Sequence, residues 1–93
     1  MLIPDDVEVL ADLGDLYEAN GRTVDAEAAY RRALDRDADY AEVHLRLARL
    51  LVQRKAASEA RSHVEAALKL QPNRRAALDL LTELDALSVE GAR

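Results

Sequence analysis

A chain of 93 residues, 49% apolar and 33% charged with only three aromatic residues, all tyrosine, has the makings of one small helical domain and few of the residues a sheet needs. Its net charge of -5 and its short, scattered basic runs argue against nucleic-acid binding, which wants a continuous cationic stripe. The lack of cysteine excludes disulfides, thiolate zinc sites and cysteine nucleophiles. No apolar run approaches membrane-spanning length, and the start Met-Leu-Ile-Pro-Asp-Asp lacks the basic and apolar regions of an export signal, which leaves a cytoplasmic setting as the default.

In chain order, Pro4 precedes Asp5 and Asp6, either of which can cap a first helix running to about Ala19. Its apolar positions Val9, Leu10, Leu13, Leu16 and Tyr17 recur at three- and four-residue steps and predict one buried stripe. Asn20-Gly21 breaks it, because both residues tolerate a left-handed exit. Thr23 is placed to cap a second helix to about Arg36, whose Ala26, Ala29, Tyr30, Ala33 and Leu34 form the inner face. Ala26 and Ala33 opposite Gly14 predict a close antiparallel pair.

Asp39 with Glu42 reads as a capping box for a third helix with the stripe Val43, His44, Leu47, Ala48, Leu50 and Leu51. Its exit, Gln53-Arg54-Lys55, lacks glycine. Ser58 is the expected cap of a fourth helix carrying Ala60, Val64, Ala67, Leu68 and Leu70 and closed by Gln71-Pro72. Asn73 is the expected cap of a fifth helix through about Ser88, with Val89 to Arg93 fraying.

The order conceals a repeat. Sliding the sequence by 34 residues lays Asp5, Glu8, Val9, Leu13, Leu16, Ala26, Ala33 and Leu34 on Asp39, Glu42, Val43, Leu47, Leu50, Ala60, Ala67 and Leu68. A third, partial copy places Asn73, Ala77, Leu78, Leu81 and Leu84 in the same register. The domain therefore divides into repeat one at about 5–38, repeat two at about 39–72 and a terminal helix at about 73–88. Repeat one carries -6 and repeat two +2. Catalysis finds no footing: there is no glycine-rich phosphate loop and no spacing that argues for a Ser-His-Asp set. His44 reads as a packed core histidine, His63 with Glu59 reads as a surface pair, and the two are not spaced as adjacent metal ligands. No metal and no cofactor is expected.

The pattern resembles the tetratricopeptide repeat family, whose 34-residue unit places a large apolar residue, Leu-Gly/Ala, Tyr, Ala, an aromatic, Ala and Pro at set spacings. Copy one reads Leu10, Leu13-Gly14, Tyr17, Ala26, Tyr30 and Ala33, with Ala38 in the place of proline. Copy two reads His44, Leu47-Ala48, Leu51, Ala60, Val64, Ala67 and Pro72, so His44, Leu51 and Val64 depart from the pattern and should loosen its core. The resemblance implies an all-α solenoid of two helical hairpins and a capping helix, working as a non-enzymatic scaffold that holds a peptide or partner helix in a concave groove.

On that resemblance the groove is lined by Asp12 and Asp15 of the first helix, Leu45, Arg46, Arg49 and Val52 of the third, and Glu83 of the fifth. The lysine and asparagine clamp that some members use for chaperone tails has no counterpart, since Ala11, Asp15, Leu45 and Arg49 stand there. Asp12 and Arg46, and Asp15, Arg49 and Glu83, should form ladders of opposite charge that set repeat register. The alternative use of Arg46 and Arg49, beside Leu45 and Val52, is a pocket for a partner side chain with an acidic neighbour. Leu80 and Leu87 fall on a face that is polar or small in the earlier copies, and two readings are open: they close over the inside of the groove, or they mark a surface for self-association, as a homodimer or with the next repeat of a longer array.

Overall fold

The computed structural model describes residues 6–91, with side chains through Leu87, and is helical throughout apart from its turns. Five helices follow in order: α1 Val7–Ala19, α2 Thr23–Arg36, α3 Ala41–Gln53, α4 Ala57–Leu70 and α5 Arg75–Gly91. α1 pairs with α2 and α3 with α4 as hairpins, α2 packs on α3 and α4 on α5, and α3 also touches α5. The body is elongated, 52 × 28 × 17 Å, as a stack of hairpins requires.

Each hairpin closes on a seam of small residues. Ala26, Ala33, Ala60 and Ala67 are fully buried, so the axes approach closely. In the first hairpin the seam holds an aromatic ring: Tyr30 is fully buried, and a Cβ built on Gly14 would lie 2.4 Å from its Cε1 and 2.6 Å from its Cδ1. One repeat later the same two places hold Ala48 and Val64, both fully buried. The second hairpin thus exchanges a hydrogen for a methyl on one side and a ring for a branched aliphatic on the other. With Leu51 also fully buried, the departures from the family pattern leave this core closed rather than loosened.

Both hairpins turn in the same way. Gly21 N donates to Glu18 O at 3.0 Å and Arg22 N to Tyr17 O at 2.8 Å, and one repeat later Lys55 N donates to Val52 O at 3.0 Å and Ala56 N to Leu51 O at 2.8 Å. These paired bonds satisfy carbonyls of the last helical turn and need a left-handed residue between them. Gly21 supplies it at φ 74°, and Lys55 adopts φ 65° in the equivalent place, at a steric cost to its Cβ.

These turns also set the helix starts, and here most of the expected caps are corrected. Asp6 caps α1, its Oδ1 accepting from Glu8 N at 2.8 Å and Val9 N at 3.4 Å. Asp5 lies outside the described residues. Thr23 and Ser58 sit inside their helices, because the residues closing the preceding turn, Arg22 and Ala56, already serve as N-caps, without side-chain bonds. Asp39 gives way to Tyr40 as the N-cap of α3, and Asp39 N donates instead to Asp37 Oδ1 at 3.0 Å. Asn73 yields likewise to Arg74, whose carbonyl accepts from Ala77 and Leu78. α5 continues to Gly91, past the expected end at Ser88.

The expected stripe of α1 is also corrected in part. Leu10 is buried, but Val9 is 46% and Leu16 59% exposed, whereas their equivalents Val43 and Leu50 are fully buried. The difference is positional: the side of α3 that carries Val43 and Leu50 lies on the first hairpin, and among the described residues α1 has no hairpin before it. Leu70 is partly exposed as well, at the outer end of α4.

Three stability outcomes follow. Gly14→Ala should lower unfolding stability by about 2 kcal/mol through overpacking against Tyr30, net of the gain in helix propensity. Tyr30→Val should cost less when combined with Gly14→Ala than when made alone, because the pair reproduces the Ala48–Val64 seam, and a double-mutant cycle in denaturant measures the coupling. Lys55→Gly should raise stability by up to about 1 kcal/mol in the same assay, since glycine adopts the left-handed turn without strain.

Candidate functional site

The first helix of each unit, α1, α3 and α5, turns one side away from the hairpin seams, and these sides form a continuous polar face. Helical register and the closeness of the seam bring its side chains together. Tyr30, rising through the first seam from α2, ends there with its hydroxyl 2.6 Å from Asp15 Oδ1 and 2.9 Å from Glu18 Oε1. Burial first, and then these two carboxylate acceptors, push its pKa well above the ordinary tyrosine range, so it stays a neutral donor. Asp15 accepts a second bond through Oδ2 from Arg46 Nη1 of α3 at 2.6 Å. Arg46 also reaches Glu42 at 3.4 Å, and Glu42 is met by the Arg74 guanidinium from the turn before α5.

The chain Tyr30–Asp15–Arg46–Glu42–Arg74 thus crosses all three units. The ladder is present but displaced from the expected one by one turn: Arg46 pairs with Asp15 and not with its repeat equivalent Asp12. Asp15, already held by the Tyr30 hydroxyl, is the carboxylate within reach of the Arg46 guanidinium. Asp12 is exposed and forms no ion pair within 4.0 Å among the described residues. Tyr30 and Arg74 lie outside the expected set of site residues, since a seam aromatic and a turn residue carry no sign of groove membership in a linear pattern.

Further along, Arg49 is exposed and forms no ion pair within 4.0 Å among the described residues. It borders a hollow of about 330 Å³ with Ala76, Asp79, Leu80 and Glu83. Val52 is half-buried at the end of α3. Two expectations are corrected here. Leu45 is 1% exposed and belongs to the core, so it is out of reach of a partner side chain. Leu80 is 6% exposed, covered by its own chain where α5 lies on α3, and so offers no free surface to a second copy. Leu87, 43% exposed, borders a different hollow with Ala57, Ser58, Arg61 and Leu84 at the start of α4.

His44 is packed in the core, at 9% exposure, and the reading of His63 is corrected. His63 is not a surface partner of Glu59 alone: its Nδ1 lies 3.0 Å from Nδ1 of His44, across the second hairpin, and its Nε2 is 3.9 Å from Glu59. Among the described residues no group of three or more His, Asp or Glu is placed to hold a metal ion.

A family model described as "Tetratricopeptide repeat" matches residues 18–84. No curated protein matches the sequence. Among solved structures, the first TPR of Spaghetti (RPAP3) bound to HSP90 peptide SRMEEVD superposes with a TM-score of 0.87 at 19% identity, over 92% of this chain and 68% of that one. A chain of the APC/C hetero-tetramer Cut9-Hcn1 gives 0.79 at 27% identity over 84% of this chain and 15% of that one. The Yersinia enterocolitica type III secretion chaperone SycD, in complex with a peptide of the translocator YopD, gives 0.70 at 23% identity over 87% and 62%.

Removing the arginine at the centre of the charged chain tests its share in stacking. Arg46→Met should lower stability by about 0.5–1 kcal/mol at low salt and by less at high salt, because Asp15 is nearly half exposed and the pair is screened. Thermal unfolding at two ionic strengths measures both.

Proposed function

This chain belongs to the tetratricopeptide repeat family, and from that premise we propose that it is a non-enzymatic interaction scaffold whose α1–α3–α5 face holds a peptide or partner helix. One observation carries the reading: the face combines side chains fixed by mutual ion pairing with charged groups that no described residue engages. Arg49 stands unpaired among the described residues beside the hollow at Glu83 and Leu80, while Arg46, one turn before it on α3, is held by Asp15 and Glu42. An exposed cation beside a partly apolar hollow is the kind of anchor that bound side chains use. Two structural neighbours, the first TPR of Spaghetti and SycD, are described with bound peptides, which supports a peptide or protein as the ligand class.

The sites within that face are narrowed accordingly. Asp12, Arg49, Val52 and Glu83 are the groups open to a partner, whereas Asp15 and Arg46 position the surface. A second reading, self-association, is favoured by the exposure of Val9, Leu16, Leu78 and Leu87 at the two ends of the stack.

Capture from native lysate on the tagged chain, repeated with Arg49→Glu, tests the proposal. Loss of retained proteins by about tenfold, the size of one good interface contact, is expected. An unchanged set would remove Arg49 from the site, and retention of only further copies of the chain would favour the second reading.

A further inference from the structure

The two places where the sequence departs from its family around the junction of the hairpins, Ala38 and His44, bond to each other. We propose that His44 and His63 form an acid-released latch on the link between repeats one and two: a hydrogen-bond relay that holds the link closed with one proton fewer than its two imidazoles can carry.

The relay follows from donor and acceptor capacity. His44 Nε2 lies 2.7 Å from the carbonyl oxygen of Ala38, which only accepts, so Nε2 carries a hydrogen and donates. In neutral His44 the other nitrogen, Nδ1, is then an acceptor. Facing it at 3.0 Å is His63 Nδ1, which must be the donor. The direction is fixed throughout: His63 Nδ1–H to His44 Nδ1, then His44 Nε2–H to Ala38 O. This leaves His63 Nε2 as the open end.

One added proton fits. It goes to His63 Nε2, 3.9 Å from Glu59, and leaves both hydrogen bonds intact. A second has no place in the closed form. It would have to enter on His44 Nδ1, setting two N–H groups head-on at 3.0 Å between two cationic rings whose centroids are 5.2 Å apart. Relief requires one ring to swing away, and His44, 9% exposed, can do so only by releasing Ala38.

The surroundings make even the first proton harder to accept. Burial is the largest influence on His63 and lowers its proton affinity, His44 and Arg31 lower it further, and Glu59 opposes them. Glu59 is itself occupied by Arg31 at 2.7 Å. From α2, Arg31 and Asp35 face the same hollow as His63, together with Leu34 and Leu47. Asp37, in the link, is engaged by Asp39 N. The unfolded chain, with both imidazoles near their ordinary value of about 6.5, binds more protons than the folded one once the pH falls below that value. Acid therefore favours opening, and the stabilisation is full above about pH 7.

The test is the pH dependence of denaturant unfolding of the whole chain from about pH 7.5 to about pH 5, with the imidazole resonances followed by NMR. The folding equilibrium constant should fall by about tenfold per pH unit below about pH 6, one proton's worth of linkage. His44→Leu, which installs the residue found in the equivalent place Leu10, should abolish at least half of that slope. In the folded wild-type protein at about pH 5, at most one of the two histidines should be protonated. Equal slopes in the two proteins, or two protonated imidazoles with the Ala38 bond retained, would overturn the latch. Should His44→Leu fail to fold, the NMR titration of the unaltered protein still decides between the outcomes.

Discussion

The contact on which everything else rests is the closure of each hairpin seam, Gly14 against Tyr30 in the first and Ala48 against Val64 in the second. A helix pair of 13 and 14 residues joined by a short turn has little other means of fixing its spacing. The second seam carries less side-chain bulk than the first, a methyl and a branched aliphatic in place of a ring, and the repeat still buries Leu47, Leu50, Leu51 and Val64 completely.

From the seam follows the polar face of α1 and α3. Because Tyr30 crosses the seam, its hydroxyl emerges among the carboxylates of α1, and Asp15 is held from below by a phenol and from the side by Arg46. A polar face built in this way is fixed by the packing beneath it rather than by a salt bridge alone, which would contribute little at such exposure. The acidic first repeat and mildly basic second repeat are then two sides of one stacked junction. Arg31, Arg46 and Arg54 are each paired across it with a carboxylate of the other repeat.

The junction between repeats is the part of the molecule that differs most from a purely apolar stack. Ala38 lacks the ring that would stiffen the link, and His44 lacks the aliphatic body that would fill the second core, yet the two compensate each other through one hydrogen bond. His63 completes the arrangement from α4. A polar relay here ties the connection to the chemistry of the solvent in a way that a proline and a leucine would not.

Apolar spacing and turn residues marked the five helices, and small residues marked the hairpin seams, while the stacking of one hairpin on the next was what the resemblance to the tetratricopeptide pattern implied. The sequence also located the alanine seams, the glycine exit at Gly21 and the missing glycine at Lys55. The completed stack settled what depends on side-chain reach and on neighbours far along the chain. Arg46 selects Asp15 over Asp12, Leu45 and Leu80 are covered, His44 finds His63, and Val9 and Leu16 stay exposed because no described hairpin lies beside them. Periodicity fixes the position of a Cα on a helix, but the direction in which a long or ionisable side chain settles is set by which partners the folded chain brings within a few ångströms.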